Sequence, residues 1–356
     1  MTVSSVAGAW RWPGGLLRSL CSAAVLCGAC AAFGQGPAGA QGSGAAPSVG
    51  PQERTVDEWL VRMQQAARVP SYTGTFVVSA GGAMSSSRIW HVRQANGTLE
   101  RVEALSGEPR STFRDKNKVV TYLPGLHTVR TERLEDGGVF PNLFAADTLE
   151  STANFYTAHQ TGEERVAGFD ADIVRLSPRD DLRFGYRIWS EKRTGLVIKT
   201  QTLDQAGQVL EQAAFSELRF DAPVNAAQIK RMMSSTTGYK VEKTKRVQTA
   251  AESEGWSMKV AVPGFKPQSC YRSPASEAVP VPIVQCIFSD GLATVSLFIE
   301  PFDSRRHVRE GEAAMGATHT LTQRLTAAGG DWWITAVGEV PAPTLRTFAS
   351  NLERRR

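Results

Sequence analysis

Hydrophobic positions change their period several times along the chain, and each change predicts an element. Trp59, Leu60, Met63 and Ala67 recur at helical spacing behind Thr55 or Asp57, either of which can cap a helix, and Pro70 ends it. From Tyr72 the period drops to two. Tyr72, Gly74, Phe76 and Val78 alternate with their neighbours, and residues 88–93 alternate again after a Gly/Ser turn. Asn96-Gly97 is a strong hairpin signal, after which 99–105, 112–114 and 118–123 continue the pattern up to Pro124-Gly125. Short strands at this spacing predict a meandering antiparallel sheet.

Residues 141–159 break the alternation, and Leu143, Phe144, Leu149 and Phe155 predict one or two short helices there. Strands resume at 164–166, 171–177, 184–190, 197–203 and 209–220, with turns at Gly195 and 204–207. Residues 222–253 lack strong periodicity, carry Lys230, Arg231, Lys240, Lys243, Lys245 and Arg246, and read as a linker. A second β-rich stretch follows, with strands near 258–262, 284–289, 293–300, 318–325 and 332–337, a polar loop at 303–316, and a last helix at 344–352 behind Pro341 and Pro343. The fold class is α+β: a curved antiparallel sheet covered by helices over 55–221, a linker at 222–253, and a smaller α+β domain over 254–352.

The length of 356 residues agrees with two domains, and 42% hydrophobic with 21% charged residues supports packed cores and excludes wholesale disorder. The first forty residues change the picture. Arg11 and Arg18 precede an apolar stretch from Leu20 to Phe33, and Ala38-Gly39-Ala40 is a small-x-small cleavage signature, so 1–40 reads as a secretory signal peptide and 41–54 as a flexible leader. Losing Arg11 and Arg18 lowers the net charge from +5 to +3, which gives no reason to propose nucleic acid. Cys27 and Cys30 leave with the same segment. Cys270 and Cys286 remain, and in an exported chain the pair suggests one disulfide, with two free buried thiols as the alternative.

Candidate chemistry is sparse. His91, His127, His159, His307 and His319 show no metal-ligand spacing, so no metal or cofactor is expected, and there is no nucleophile elbow, P-loop or dinucleotide fingerprint. Glu163-Glu164 and Asp180-Asp181 read as solvated turn charges, and His91 as an outward-facing strand residue. A binding protein is therefore favoured over an enzyme. Apolar side chains on the first sheet suit either an ordinary core or a hollow for an acyl chain, each of whose buried methylenes contributes about 0.8 kcal/mol.

The run Phe184-Gly-Tyr-Arg-Ile-Trp-Ser-Glu-Lys-Arg-Thr-Gly-Leu-Val-Ile-Lys-Thr-Gln-Thr-Leu-Asp-Gln-Ala-Gly-Gln-Val-Leu-Glu211 resembles the half-barrel sheet of LolA-like lipoprotein carriers. Those carriers lack a second domain. Here one follows, with Val262-Pro263-Gly264-Phe265, Ser289-Asp290-Gly291-Leu292 and Ile334-Thr-Ala-Val-Gly-Glu-Val-Pro341. Together with Trp59-Leu-x-x-Met63, Ser71-Tyr72-x-Gly-Thr-Phe76 and Thr121-Tyr122-Leu-Pro-Gly125, this order resembles the RseB/MucB family of periplasmic negative regulators of the sigma-E envelope stress response, over roughly 55–352.

The resemblance implies a periplasmic protein, and a homo-oligomer is compatible with it. Such a protein binds the periplasmic part of a membrane anti-sigma factor, shields it from a DegS-like site-1 protease, and lets go when lipid or lipopolysaccharide binds. Phe76, Val78, Trp90, Val92, Tyr122, Phe144 and Tyr186 are the candidates for a lipid cavity. Lys240, Lys243, Arg246, Phe302, Arg305, Arg306 and Trp332 are the candidates for partner contact, Trp and Arg being enriched at interface hot spots. A lipid or lipoprotein carrier is the alternative reading.

Overall fold

The computed structural model describes residues 54–66, 71–95, 97–133, 152–220, 222–243, 246–275 and 281–355. The expected signal peptide, all but the last residue of the leader, most of the helical stretch expected at 141–159, and Phe144 lie outside them.

Helix α1 (Val56–Ala66) is followed by β1 (Tyr72–Ala80), β2 (Ala83–Gln94), β3 (Gly97–Ala104), β4 (Ser111–Asp115), β5 (Lys118–Leu123) and β6 (Thr128–Arg133). Then come β7 (Tyr156–Val166), β8 (Phe169–Pro178), β9 (Gly185–Glu191), β10 (Val197–Leu203) and β11 (Val209–Phe220). Helix α2 (Ala226–Ser234) leads to β12 (Lys240–Lys243), and these strands form one open sheet in the order β12-β6-β5-β4-β3-β2-β1-β11-β10-β9-β8-β7. Its pairs are antiparallel except β12 on β6. The chain then enters β13 (Val247–Thr249), β14 (Trp256–Met258), β15 (Lys266–Ser273), β16 (Ile283–Ser289), β17 (Thr294–Pro301), β18 (Gly311–Met315), β19 (Thr318–Ala327) and β20 (Gly330–Gly338). Helix α3 (Ala342–Asn351) and β21 (Leu352–Arg354) close it. The second sheet has seven strands, β13-β15-β16-β17-β20-β19-β18, and β14 pairs with β21 beside it.

The two-residue period places the cores. Tyr72 pairs with His91 and Phe76 with Ser87, so Trp90 and Val92 on β2 face away from Tyr72 and Phe76. On that opposite face Val92, Leu99, Phe113, Val120, Tyr122 and Val129 pack under Ile229 and Met233 of α2. At the other end of the sheet, Trp59, Leu60 and Met63 of α1 pack on Tyr156, Val174, Leu176, Tyr186, Ile188 and Val197. A middle cluster joins Tyr72, Phe76, Ile89, Trp189, Ile198, Phe215 and Leu218. Gly74 is required there: a Cβ would lie 2.6 Å from the Glu217 carbonyl and 2.7 Å from the Phe215 ring, where β11 bulges against β1.

Five expectations change. The strand expected near 258–262 stands at Trp256–Met258 instead, and β15 follows before the strand at 283–289. Residues 222–253, read as a linker, carry α2, β12 and β13, so the first sheet takes a strand from beyond residue 221. The polar loop expected at 303–316 contains β18, an edge strand with every residue exposed, which therefore has no hydrophobic alternation to read. Residues 156–159 start β7 rather than ending a helix. His91 is buried, stacked at 4.7 Å on Tyr72, with Nδ1 2.9 Å from Glu100 Oε1, because its register partners Tyr72 and Glu100 share its inward face. Burying Ile229 and Met233 of α2 contributes at most roughly 3–6 kcal/mol.

Candidate functional site

The structure distributes the lipid-cavity candidates over three clusters rather than one hollow. Phe76 is buried in the middle cluster with the half-buried Val78 at its border. Trp90, Val92 and Tyr122 belong to the cluster under α2. The Arg101 guanidinium lies 4.5 Å over the Trp90 ring, and the Tyr122 hydroxyl faces the Met232, Met233 and Ser235 carbonyls at 2.9, 3.1 and 3.2 Å. A hydroxyl placed so can donate its one proton to a carbonyl that the end of a helix leaves open. Tyr186 is buried under α1, and burial pushes its phenol well above the ordinary range.

Tyr186 also borders the junction between the two sheets, where a fully buried ion pair sits. Arg183 is 0% exposed. Its Nη1 donates to Asp180 Oδ2 at 3.0 Å, its Nη2 donates to the Pro263 carbonyl at 2.7 Å, and its Nε lies 3.0 Å from Asp290 Oδ2. Asp290, equally buried, accepts from the Leu292 and Ala293 amides at 2.9 and 2.7 Å through Oδ1, and from the Tyr156 hydroxyl at 3.0 Å through Oδ2. Burial raises the Asp290 carboxyl pKa, and Arg183 and the donors oppose the shift. Phe155 and Phe265 flank the guanidinium at 4.5 and 5.1 Å. Gly264 makes the approach possible: its φ of +83° suits glycine, and a Cβ would stand 2.7 Å from Arg183 Nη2.

Further contacts extend the junction. Thr344 Oγ1 donates to the Leu182 carbonyl at 2.8 Å, Thr152 Oγ1 donates to the Asp290 carbonyl at 3.3 Å, and Phe184 meets the His319 ring edge-on at 5.6 Å. Glu211 of β11 accepts from the Ala317 backbone, and burial, reinforced by the Glu339 carboxylate, pushes its pKa up to about 7. A charge pair out of water stabilises little by itself, but removing one partner strands the other and costs about 3–5 kcal/mol. The junction therefore behaves as a clasp. The motifs around Val262-Pro263-Gly264-Phe265 and Ser289-Asp290-Gly291-Leu292 are its second-sheet half. Sequence reasoning placed no role on Arg183 or Asp290 and read Asp180 as a solvated turn charge. The available signal was a lone acid, Asp290, between two apolar strands.

The partner candidates separate in the same way. Lys240 and Lys243 are exposed on β12, the edge of the first sheet, and Arg246 is exposed just before β13. Phe302 and Arg306 come together beside β17: Arg306 pairs with Glu300, and Phe302 lies 6.0 Å from Trp333 and under Arg324. His307 stacks on Trp333 at 4.8 Å, and burial lowers its pKa. Arg305 is exposed in the same turn. Trp332 instead meets Trp256 edge-on at 5.2 Å, with Arg354 4.0 Å above its ring. Cys270 and Cys286 face each other across β15 and β16 and form a disulfide. Among the described residues no cluster of side chains suits a metal ion.

The profile of the MucB/RseB N-terminal domain matches residues 55–233, and that of the MucB/RseB C-terminal domain matches 250–353. The sigma factor AlgU regulatory protein MucB of Pseudomonas aeruginosa is 29% identical over 310 residues, 85% of this chain and 92% of that one. The sigma-E factor regulatory protein RseB of Escherichia coli K12 is 24% identical over 306 residues, 83% and 89% of the two chains. A crystal structure of MucB in complex with MucA(peri) matches with a TM-score of 0.65 at 28% identity, over 85% of this chain and 99% of that one. Both halves of the molecule are thus matched in order by one two-domain family, and the chain belongs to the MucB/RseB family.

Proposed function

We propose that this chain is a periplasmic negative regulator of an envelope-stress sigma factor. It holds the periplasmic segment of a membrane anti-sigma factor, keeps that segment from the first protease, and releases it when lipid or lipopolysaccharide binds. The observation that carries this reading is the match, over 85% of this chain and 99% of the MucB chain, to MucB as crystallised with MucA(peri). A ligand shifts binding only if it favours one of two arrangements, so release by lipid requires a second arrangement of the two sheets, with the clasp as the place where it would differ. Lipid is proposed to act on the first sheet at Phe76 and Val78, and the exposed Lys240 and Lys243 to meet the partner. No catalytic step is assigned. No helix among the described residues is long and apolar enough to cross a membrane.

The test is retention of the purified chain on an immobilised periplasmic segment of its anti-sigma factor, with and without lipopolysaccharide. Retention is expected without it and loss with it. Lys240→Glu with Lys243→Glu is expected to weaken retention at least tenfold. Failure to bind the segment in any condition refutes the reading.

A further inference from the structure

Between the second sheet, α3 and the β14–β21 pair lies a cavity of about 470 Å³, open on one side and within the size range of small-molecule sites. Its buried lining is entirely apolar, led by Trp256, Phe265, Phe288, Leu297 and Phe348, with the Cys270–Cys286 disulfide in the wall. Every polar residue that touches it is half-buried or exposed and so belongs to its rim. Two of these are already engaged: Ser257 Oγ donates to Glu353, and Thr249 Oγ1 donates to Glu254. The charged rim residues are Glu252 and Arg355, and Arg355 Nε lies 3.6 Å from Glu353.

We propose that this cavity is a binding site for the single hydrocarbon chain of an amphiphile, with the head group left at the rim beside Arg355. The wall chemistry selects the class. A peptide inserted here would bring amide and carbonyl groups into a lining that offers them no hydrogen-bond partner, at a heavy desolvation cost. A hydrocarbon chain asks for none, and each methylene it buries tightens binding roughly fourfold. The site is separate from the first-sheet residues proposed for lipid. It does not depend on the sigma-regulator reading, since binding is measured on the chain alone.

Trp256 lies in the wall and is 1% exposed, so a chain seated in the cavity touches it. The experiment titrates the purified, oxidised chain with dibromostearate and follows tryptophan fluorescence, alongside calorimetry with unbrominated fatty acids of increasing length. Quenching is expected, together with affinity rising about fourfold per methylene until the cavity is filled. Trp256→Phe is expected to abolish most of the quenching while leaving affinity within threefold. Ala251→Phe, which fills the cavity from its rim, is expected to weaken binding at least tenfold. Repeating the titration with a single-chain lysophospholipid separates free fatty acid from a membrane-derived source, and binding of either upholds the site. Absence of binding, or quenching undiminished by Trp256→Phe, overturns the proposal. The conservative tryptophan replacement keeps the test decisive if Ala251→Phe fails to fold.

Discussion

The two sheets solve the same packing problem differently. The twelve-stranded sheet distributes its buried side chains over three clusters, with α1 covering one end on one face and α2 covering the other end on the opposite face. The seven-stranded sheet gathers Trp256, Phe265, Leu297, Ile334, Phe348 and their neighbours into a single cluster, cross-linked by the disulfide. The clasp joins the divided core of the first sheet to the single cluster of the second.

The largest effect expected from breaking this arrangement comes from the clasp. Arg183→Met leaves Asp290 buried without its cation and should cost about 3–5 kcal/mol. Calorimetry should then resolve two unfolding transitions in place of one. Arg183→Met combined with Asp290→Leu should recover most of the loss. A single variant within about 1 kcal/mol of the parent contradicts the clasp.

Next is the disulfide. Cys270 and Cys286 lie 16 residues apart, and replacing both with serine should cost about 3 kcal/mol in the chain-entropy model. The loss should fall on the second sheet alone. Equal loss of hydrogen-exchange protection in β1–β11 would show that the two sheets do not behave as distinct units.

The smallest effect is the pH response of Glu211. Its carboxyl sits near 7 in the folded chain against an ordinary value of 4.5, because burial and Glu339 favour the protonated form. A raised carboxyl pKa weakens the fold as pH climbs between those two values, with the full loss reached above about 7. Glu211→Gln should therefore match the parent below pH 4.5 and exceed its stability by roughly 1–2 kcal/mol above pH 7, with allowance for solvent screening. Parallel pH–stability curves for the two proteins would contradict this.

Much of the strand layout was legible because alternation and turn residues are local signals. Strands at 118–123, 197–203 and 209–220 agree with β5, β10 and β11, and the Asn96-Gly97 signal agrees with the Gln94 to Gly97 pairing of β2 and β3. Helix α2 was missed because only Ile229 and Met233 are buried in it, too few to stand out among basic neighbours. Edge strands β12 and β18 were missed because edge residues are exposed and carry no alternation. The clasp was beyond reach for a different reason: Tyr156 and Asp290 meet across 134 residues of chain, and no local pattern encodes such a meeting. Three-dimensional packing likewise decides that Phe76 and Trp90, both apolar strand residues, face opposite ways.

The short passage from β12 to β13 has a mechanical consequence. Lys243 belongs to one sheet and Val247 to the other, and four residues of extended chain reach no more than about 14 Å. The margins of the two sheets are therefore tethered whatever the rest of the molecule does. If the clasp lets go, the two sheets stay joined at that tether while their other margins are free to part. Spin labels flanking the tether would then report a nearly constant separation, while a pair placed at Met84 and Met315 would register the parting.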